Sequence, residues 1–389
     1  MKRLRGWWLL AGVLISLPLL FPGNYYVTVV GAAAALHAIL AVGLNLLMGY
    51  AGQISLGHAA FFGLGAYSSA ILTTRYGWNP WPALGAGLVL TGLVAYGIAR
   101  PVLRLKGHYL AMATLGFGII IHILLVQTGE LTGGPDGIGE IPPLGLFGWT
   151  VDSDERWYGV MAGVLLLVVL LALNLMDSRP GRALRALHGA EIAAGLMGID
   201  TAAAKTAVFV LAALSAGLAG SLFAHQQAFV SPDSFNFFVS IELVTMVVLG
   251  GIASTWGAIL GAVILTLLPE LLVVFEDYEV LIFGAILMLI MIFLPQGLAG
   301  GLRDLWARRP DRNGALPPGP PAPLAPPGPP APGSGSPSRD RAAEPAQRDR
   351  ATGRGPRDRA TGTGPRDLAT GSVRHDLASS SPSVSQDVA

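Results

Sequence analysis

Residues 180–200 read PGRALRALHGAEIAAGLMGID, a basic, glycine-punctuated stretch of helical pattern set between two long apolar runs. Arg182 and Arg185 fall on adjacent sides of a short helix, Leu184, Leu187 and Leu196 supply apolar positions, and Gly181, Gly195 and Gly198 punctuate the pattern. A membrane protein uses such an island as a handle for a cytoplasmic partner, because docking into a groove needs apolar anchors while charge sets register. An ordinary basic loop on the inner side of the membrane is the plainer alternative.

Working outward, 52% of the 389 residues are hydrophobic and 13% are charged, against roughly 25% charged in soluble domains. The chain therefore reads as an all-α polytopic membrane protein. It has no cysteine, which excludes disulfides and thiolate metal sites, and its seven histidines are scattered without ligand spacing. No metal site and no catalytic residue is expected, since no nucleophile, base and orienting acid are grouped.

A helical span needs about 20 predominantly apolar residues. About ten stretches qualify: 7–22, 27–49, 54–74, 82–103, 108–127, 157–176, 204–224, 238–255, 257–275 and 280–298. The first follows Lys2, Arg3 and Arg5 but leads to Pro22-Gly23 rather than a small-residue cleavage site, so residues 1–26 read as a retained anchor. With the N-terminus inside, Arg100, Arg104 and Lys106, then Arg179, Arg182 and Arg185, then Arg303, Arg308 and Arg309 all fall inside. The acidic stretches Glu130–Glu155 and Glu276–Glu279 fall outside, with Arg75 and Arg156 as exceptions. An N-in, C-in protein follows, with a permease domain over 27–300.

Asn45, Gln53, Ser55 and His58 lie among Gly49, Gly52, Gly57, Gly63 and Gly65. Small residues let helices approach, and polar ones are tolerated in a bilayer where they face protein or a water-filled path. This segment is expected in the bundle interior as part of a substrate pathway, with helix packing alone as the alternative for any single residue. Glu242, near the start of a span and soon after Pro232-Asp233, is open to an interfacial structural role or a substrate role. His37, His108, His122 and His225 have no neighbouring acid and read as structural. The loop LTGGPDGI at 131–138 is either a tight turn or a lining element.

An ordered set of segments resembles the inner-membrane permease family of branched-chain amino acid ABC importers, in its LivM-type branch. These are GLNLLMGYAGQISLGHAAFFGLGAYSSAIL (43–72), LRLKGHYLAMATLGFG (103–118), LTGGPDGIGEIP (131–142), GRALRALHGAEIAAGLMGIDTAAAKTAVF (181–209), VVLGGIASTWGAILGA (247–262) and LIFGAILMLIMIFLPQGLAG (281–300). The resemblance implies a bacterial inner-membrane subunit that moves leucine, isoleucine or valine inward. It implies as partners a second permease subunit, two cytoplasmic ATPase subunits that bind ATP and magnesium, and an external substrate-binding protein. Membrane lipid surrounds it, and no nucleic acid is expected.

In that family the basic stretch is the coupling helix, which makes Gly181, Arg182, Leu184, Arg185, Leu187, Glu191 and Gly198 the expected ATPase-coupling residues. The expected pathway residues are Asn45, Gln53, Ser55, His58, Thr114 and Glu242. Two departures stand out. His188, Gly189 and Ala190 occupy positions where relatives usually carry Arg-Glu-Asp, leaving Glu191 as the remaining acid, and Ile119 and His122 replace Glu and Arg after TLGFG. No cofactor belongs to the chain itself: its only lysines are Lys2, Lys106 and Lys205, and none lies in a phosphate-binding GxxxxGK[ST] loop.

Residues 301–389 are rich in Pro, Gly, Ser and Ala and contain the near-repeat RDRATGRGP, RDRATGTGP, RDLATG. Such composition buries too little apolar surface to offset chain entropy, so a disordered cytoplasmic tail is expected. The same architecture also suits a urea or short-amide importer. An ion-coupled carrier is the rival from another class, and it would show paired broken helices with midplane charges.

Overall fold

Only helices and closed barrels satisfy every backbone group without water, so apolar runs in a bilayer fold as helices. The computed structural model describes residues 2–146, 149–273 and, between 281 and 300, residues 281, 282, 284, 285, 288, 292 and 297–300. The helices are α1 (Lys2–Leu20), α2 (Tyr26–Tyr50, π-helical at both ends), α3 (His58–Thr74), α4 (Pro80–Val102), α5 (His108–Gln127) and the single turn α6 (Gly129–Thr132). They continue with α7 (Asp154–Asp177), α8 (Arg179–Gly189), α9 (Glu191–Leu196), α10 (Thr201–Gln227), α11 (Phe237–Gly250) and α12 (Thr255–Leu272). A two-residue antiparallel pair, β1 (Gly145–Leu146) with β2 (Trp149–Thr150), and the short 3-10 turns Gly134–Asp136 and Pro232–Phe235 lie in the connections.

Among the described residues, seven helices are long and apolar enough to span a membrane: α2, α4, α5, α7, α10, α12 and α11 together with the turn before it, Pro232–Gly250. The sequence suggests about ten, and three of the ten expected stretches behave differently. The apolar part of α1, Arg5–Leu20, is shorter than the rest. The expected span 54–74 is a 17-residue helix of about 26 Å, preceded by a non-helical segment. The stretch 280–298 lies largely outside the described residues, as do Glu276–Glu279 and the tail 301–389.

Successive connections alternate between two poles of the bundle. At one pole, Gly6 lies against Trp256, Gly52 against His188, and Asn45 reaches the turn between α11 and α12. At the other, the Trp81 indole donates to Gly145 O at 3.0 Å and Ile138 bridges Val230. There His225 Nδ1 donates to Pro142 O at 2.7 Å, which leaves Nε2 to accept the Ser69 hydroxyl at 2.8 Å. His225 is thus structural, fastening a loop to the end of α10. The 131–138 loop is a turn, with Gly133 and Gly137 at positive φ and the Thr132 hydroxyl bonded to Leu125 O at 2.6 Å.

The core is centred on α2 and α10. Helix α10 packs most extensively on α3 and α4, while α2 packs on α12 and α7. Small residues mark the closest approaches, since lipid tails give no hydrophobic drive to helix pairing and close backbone packing must supply it. A Cβ on Gly65 would collide with the Gly217 backbone, one on Gly220 with Phe62 O, and one on Gly261 with Met246 O. Between these contacts Phe62, Tyr67, Phe223 and Phe235 form an aromatic cluster.

Candidate functional site

Two features hold the candidate side chains: a break in the helical backbone between α2 and α3, and the amphipathic pair α8–α9 at one pole.

Between α2 and α3 the chain runs without helical structure from Gly52 to Gly57, yet Gln53, Ser55 and Gly57 are buried. Irregular backbone at this depth needs protein partners in place of water. Leu56 N donates to Thr114 Oγ1 of α5 at 3.0 Å, and Ala59 N donates to Ser240 Oγ of α11 at 3.1 Å. One hydroxyl therefore satisfies a donor of the non-helical segment, and the other satisfies one of the N–H groups that lack internal partners in the first turn of α3. A Cβ on Gly57 would fall on the Thr114 carbonyl, so glycine is what lets the segment lie against α5.

The same segment holds unsatisfied polar atoms: Gln53 Oε1 and His58 Nε2 are buried without a hydrogen-bond partner among the described residues. Beside it, Leu56, Ala59, Leu115, Ile119, Phe237 and Ser240 enclose a space of about 10 Å³, scarcely one water. The N-terminal end of α3 carries partial positive charge, which favours a carboxylate.

The expected pathway residues divide accordingly. Gln53, Ser55, His58 and Thr114 come together at the break. Asn45 lies elsewhere: its Oδ1 accepts from Ala253 N at 3.0 Å, holding the α11–α12 turn, while its Nδ2 has no partner. Glu242 is half-buried and two residues beyond Ser240, about 200° around α11, so it faces away from the break. Ser240 was not singled out from sequence. Its signal was faint, one serine in FFVSIEL behind the cap Asn236, whose side chain accepts from Val239 N at 3.3 Å.

At the pole with α8 and α9, Ser178 caps α8 through Gly181 N, and a Cβ on Gly181 would strike the end of α7. Arg185 Nη2 donates to Met176 O at 2.7 Å and Arg182 Nη1 to Asp177 O at 3.2 Å. Both arginines thus cap the last carbonyls of α7, where positive charge is favoured. Leu184 and Leu187 are buried in the chain's own core. The exposed apolar side chains of this element are instead Ile192 at 77%, Leu196 at 85% and Met197 at 83% exposed. Gly198, at φ 80°, ends α9: its N–H bonds Gly195 O and Ile199 N bonds Ala194 O, a paired closure that needs a left-handed residue.

Glu191 opens α9 and meets two of the three lysines, Lys205 Nζ at 2.6 Å and Lys106 Nζ at 3.8 Å. The hydrogen bond from Lys205 holds the Glu191 carboxyl below its ordinary pKa against the opposing effect of burial, and the charges of Lys205 and Lys106 add to the lowering. One acid thereby ties α9 to the base of α10 and to the chain entering α5.

Apolar helices packed around a buried polar break, with an exposed amphipathic element at one pole, form a polytopic membrane bundle. The family model for the permease component of branched-chain amino acid transport systems matches residues 26–292, and the chain belongs to that family. It is 39% identical over 286 residues to the high-affinity branched-chain amino acid transport permease LivM of Escherichia coli K12, covering 68% of this chain and 67% of that protein. The LivM of Salmonella typhimurium is 38% identical over 288 residues, with the same coverage. The LivH permease of Salmonella typhimurium is 27% identical over 286 residues, 68% of this chain and 91% of that one. No solved structure matches.

Proposed function

We propose that the chain is a permease subunit of a bacterial inner-membrane ABC importer for leucine, isoleucine and valine. It works with a second permease subunit, two cytoplasmic ATPases that bind ATP and magnesium, and an external binding protein. The observation that carries this is the position of α8–α9. This element lies at the pole opposite the acidic connection between α5 and α7, braced on α7, α10 and the α4–α5 loop, with Ile192, Leu196 and Met197 facing outward.

On this reading about ten spans cross the membrane with both ends inside, and α8–α9 is the cytoplasmic coupling element. Its docking anchors are the exposed residues of α9, while Gly181, Arg182, Leu184, Arg185 and Leu187 hold the element on the permease and Gly198 shapes its exit. ATPase closure moves α9, and Glu191 passes the movement to α10 and α5. The break at 52–57 is part of the path, its closed state opening when α5 and α11 separate from the N-terminus of α3. That end attracts the substrate carboxylate, and the apolar walls suit a branched side chain. A ligand-loaded binding protein promotes opening by binding the open state better, the only way it shifts such an equilibrium.

The test is uptake of labelled leucine by cells with and without the chain, with excess isoleucine or urea as competitor. Loss of an isoleucine-competed component on deletion is expected. Unchanged leucine uptake with a defect in urea uptake would move the substrate to urea.

A further inference from the structure

Between the end of α4 and the start of α10 lies a cleft of about 690 Å³, separate from both the break and α9. Its floor is apolar, made by Ala99, Leu103, Ala203, Ala207 and Val210, and Arg100 and Arg104 stand at its mouth. The Arg100 guanidinium lies 5.2 Å from the centre of the Tyr96 ring and donates to its hydroxyl at 2.9 Å, which fixes its direction. Arg104 has no side-chain partner among the described residues. The one acid in the lining is Asp200, and its Oδ1 is engaged by Ala203 N at 3.0 Å as the cap of α10. Lys205, on the next turn, is turned away to Glu191.

Two cations over an apolar groove at the end of two spanning helices match the two halves of an anionic phospholipid, phosphate above and acyl chain below. A soluble anion would have no use for the floor, and an apolar protein segment none for the free guanidinium. We infer that this cleft binds an anionic phospholipid, its phosphate on Arg100 and Arg104 and an acyl chain along Ala207 and Val210. Bound there, the lipid braces α10 one turn from Lys205 and so borders the coupling element without touching the path. The site depends on the membrane setting of the helices and not on which solute is carried.

The test is the thermal stability of the detergent-purified importer complex titrated with phosphatidylglycerol, phosphatidylcholine or inorganic phosphate. Phosphatidylglycerol should stabilise at concentrations where the other two do not. A basic residue near an anionic surface is worth roughly fivefold in affinity, so Arg100→Gln with Arg104→Gln should raise the half-saturating concentration roughly thirtyfold. Ala207→Trp should remove the lipid-specific shift with both arginines intact, and Asp200→Asn, which keeps the cap, should tighten binding. Equal effects of the two lipids, an unmoved midpoint in the double variant, or the same stabilisation by phosphate alone would overturn the assignment. So would disulfide capture of Ala207→Cys, the sole cysteine in such a chain, by a cysteine on the partner permease, since protein would then fill the cleft.

Discussion

Lys205 Nζ stands 2.6 Å from Glu191 Oε1, with the lysine side chain 6% exposed and the glutamate 33%. A nearly buried ammonium on a spanning helix is thereby neutralised from the short helix outside it, so α9 cannot move without moving α10 or stranding a charge. Glu191→Gln should destabilise the purified chain by about 1–3 kcal/mol, with uptake falling further than stability explains. Melting curves and uptake measured on the same preparations check this, and the exchange Glu191→Lys with Lys205→Glu should restore part of both.

The same pair sets a pH dependence. Glu191 titrates below its ordinary value of 4.5 in the folded chain, so its contribution is complete above about that value and is lost as pH falls through the lower folded one. The melting temperature should therefore drop on acidification below roughly pH 4.5, more in the wild type than in Glu191→Gln. Parallel curves for the two proteins would remove the ion pair from the account.

At the break, Thr114→Val strands Leu56 N and Ser240→Ala strands Ala59 N. Each should cost about 1–2 kcal/mol as a donor shielded from water loses its acceptor, the buried Ala59 N more than the part-buried Leu56 N. Both should disturb uptake by loosening the break from α5 and α11, read as a change in KM larger than in Thr245→Val, whose hydroxyl serves only its own helix through Ile241 O.

The α11–α12 turn places Ala253 at φ 61°, a left-handed conformation that costs a residue with a Cβ. Ala253→Gly should be neutral or stabilise by up to about 1 kcal/mol. Asn45→Ala, which deletes the acceptor for Ala253 N, should destabilise by about 1–2 kcal/mol. Thermal unfolding of both variants checks the sign of each.

Helix crossing predicts an asymmetry among glycines. Gly65→Val and Gly220→Leu push side chains into the facing backbone and should prevent stable assembly, whereas Gly163→Ala, with nothing within 4 Å, should be tolerated. Membrane yield and monodispersity in detergent distinguish the cases.

Much of this was legible in the sequence, because bilayer physics converts apolar length into helices and a basic island into a pole. The glycine-crowded segment at 45–65 reads as interior, and the structure buries most of it, Gly52 and Ile54 excepted. Hydropathy could not show that 52–57 is not helix, since buried extended chain and buried helix share a composition. Nor could it assign Leu184 and Leu187 to the chain's own core rather than a partner, because a leucine on an amphipathic face does not declare which neighbour covers it. Glu191 with Lys205, and Thr114 and Ser240 with the start of α3, are meetings of residues far apart in sequence or on separate helices, and a single chain's pattern has no term for them.

The exposed face of α9 is the proposed route by which ATPase movement reaches the permease. It is tested most directly by Ile192→Asp with Leu196→Asp in the reconstituted importer, measuring leucine uptake and ATPase retention together. Both side chains lie outside the fold's own packing, so the variant should keep its melting temperature, lose uptake and release the ATPase subunits. Normal uptake with the ATPases still bound would contradict the account.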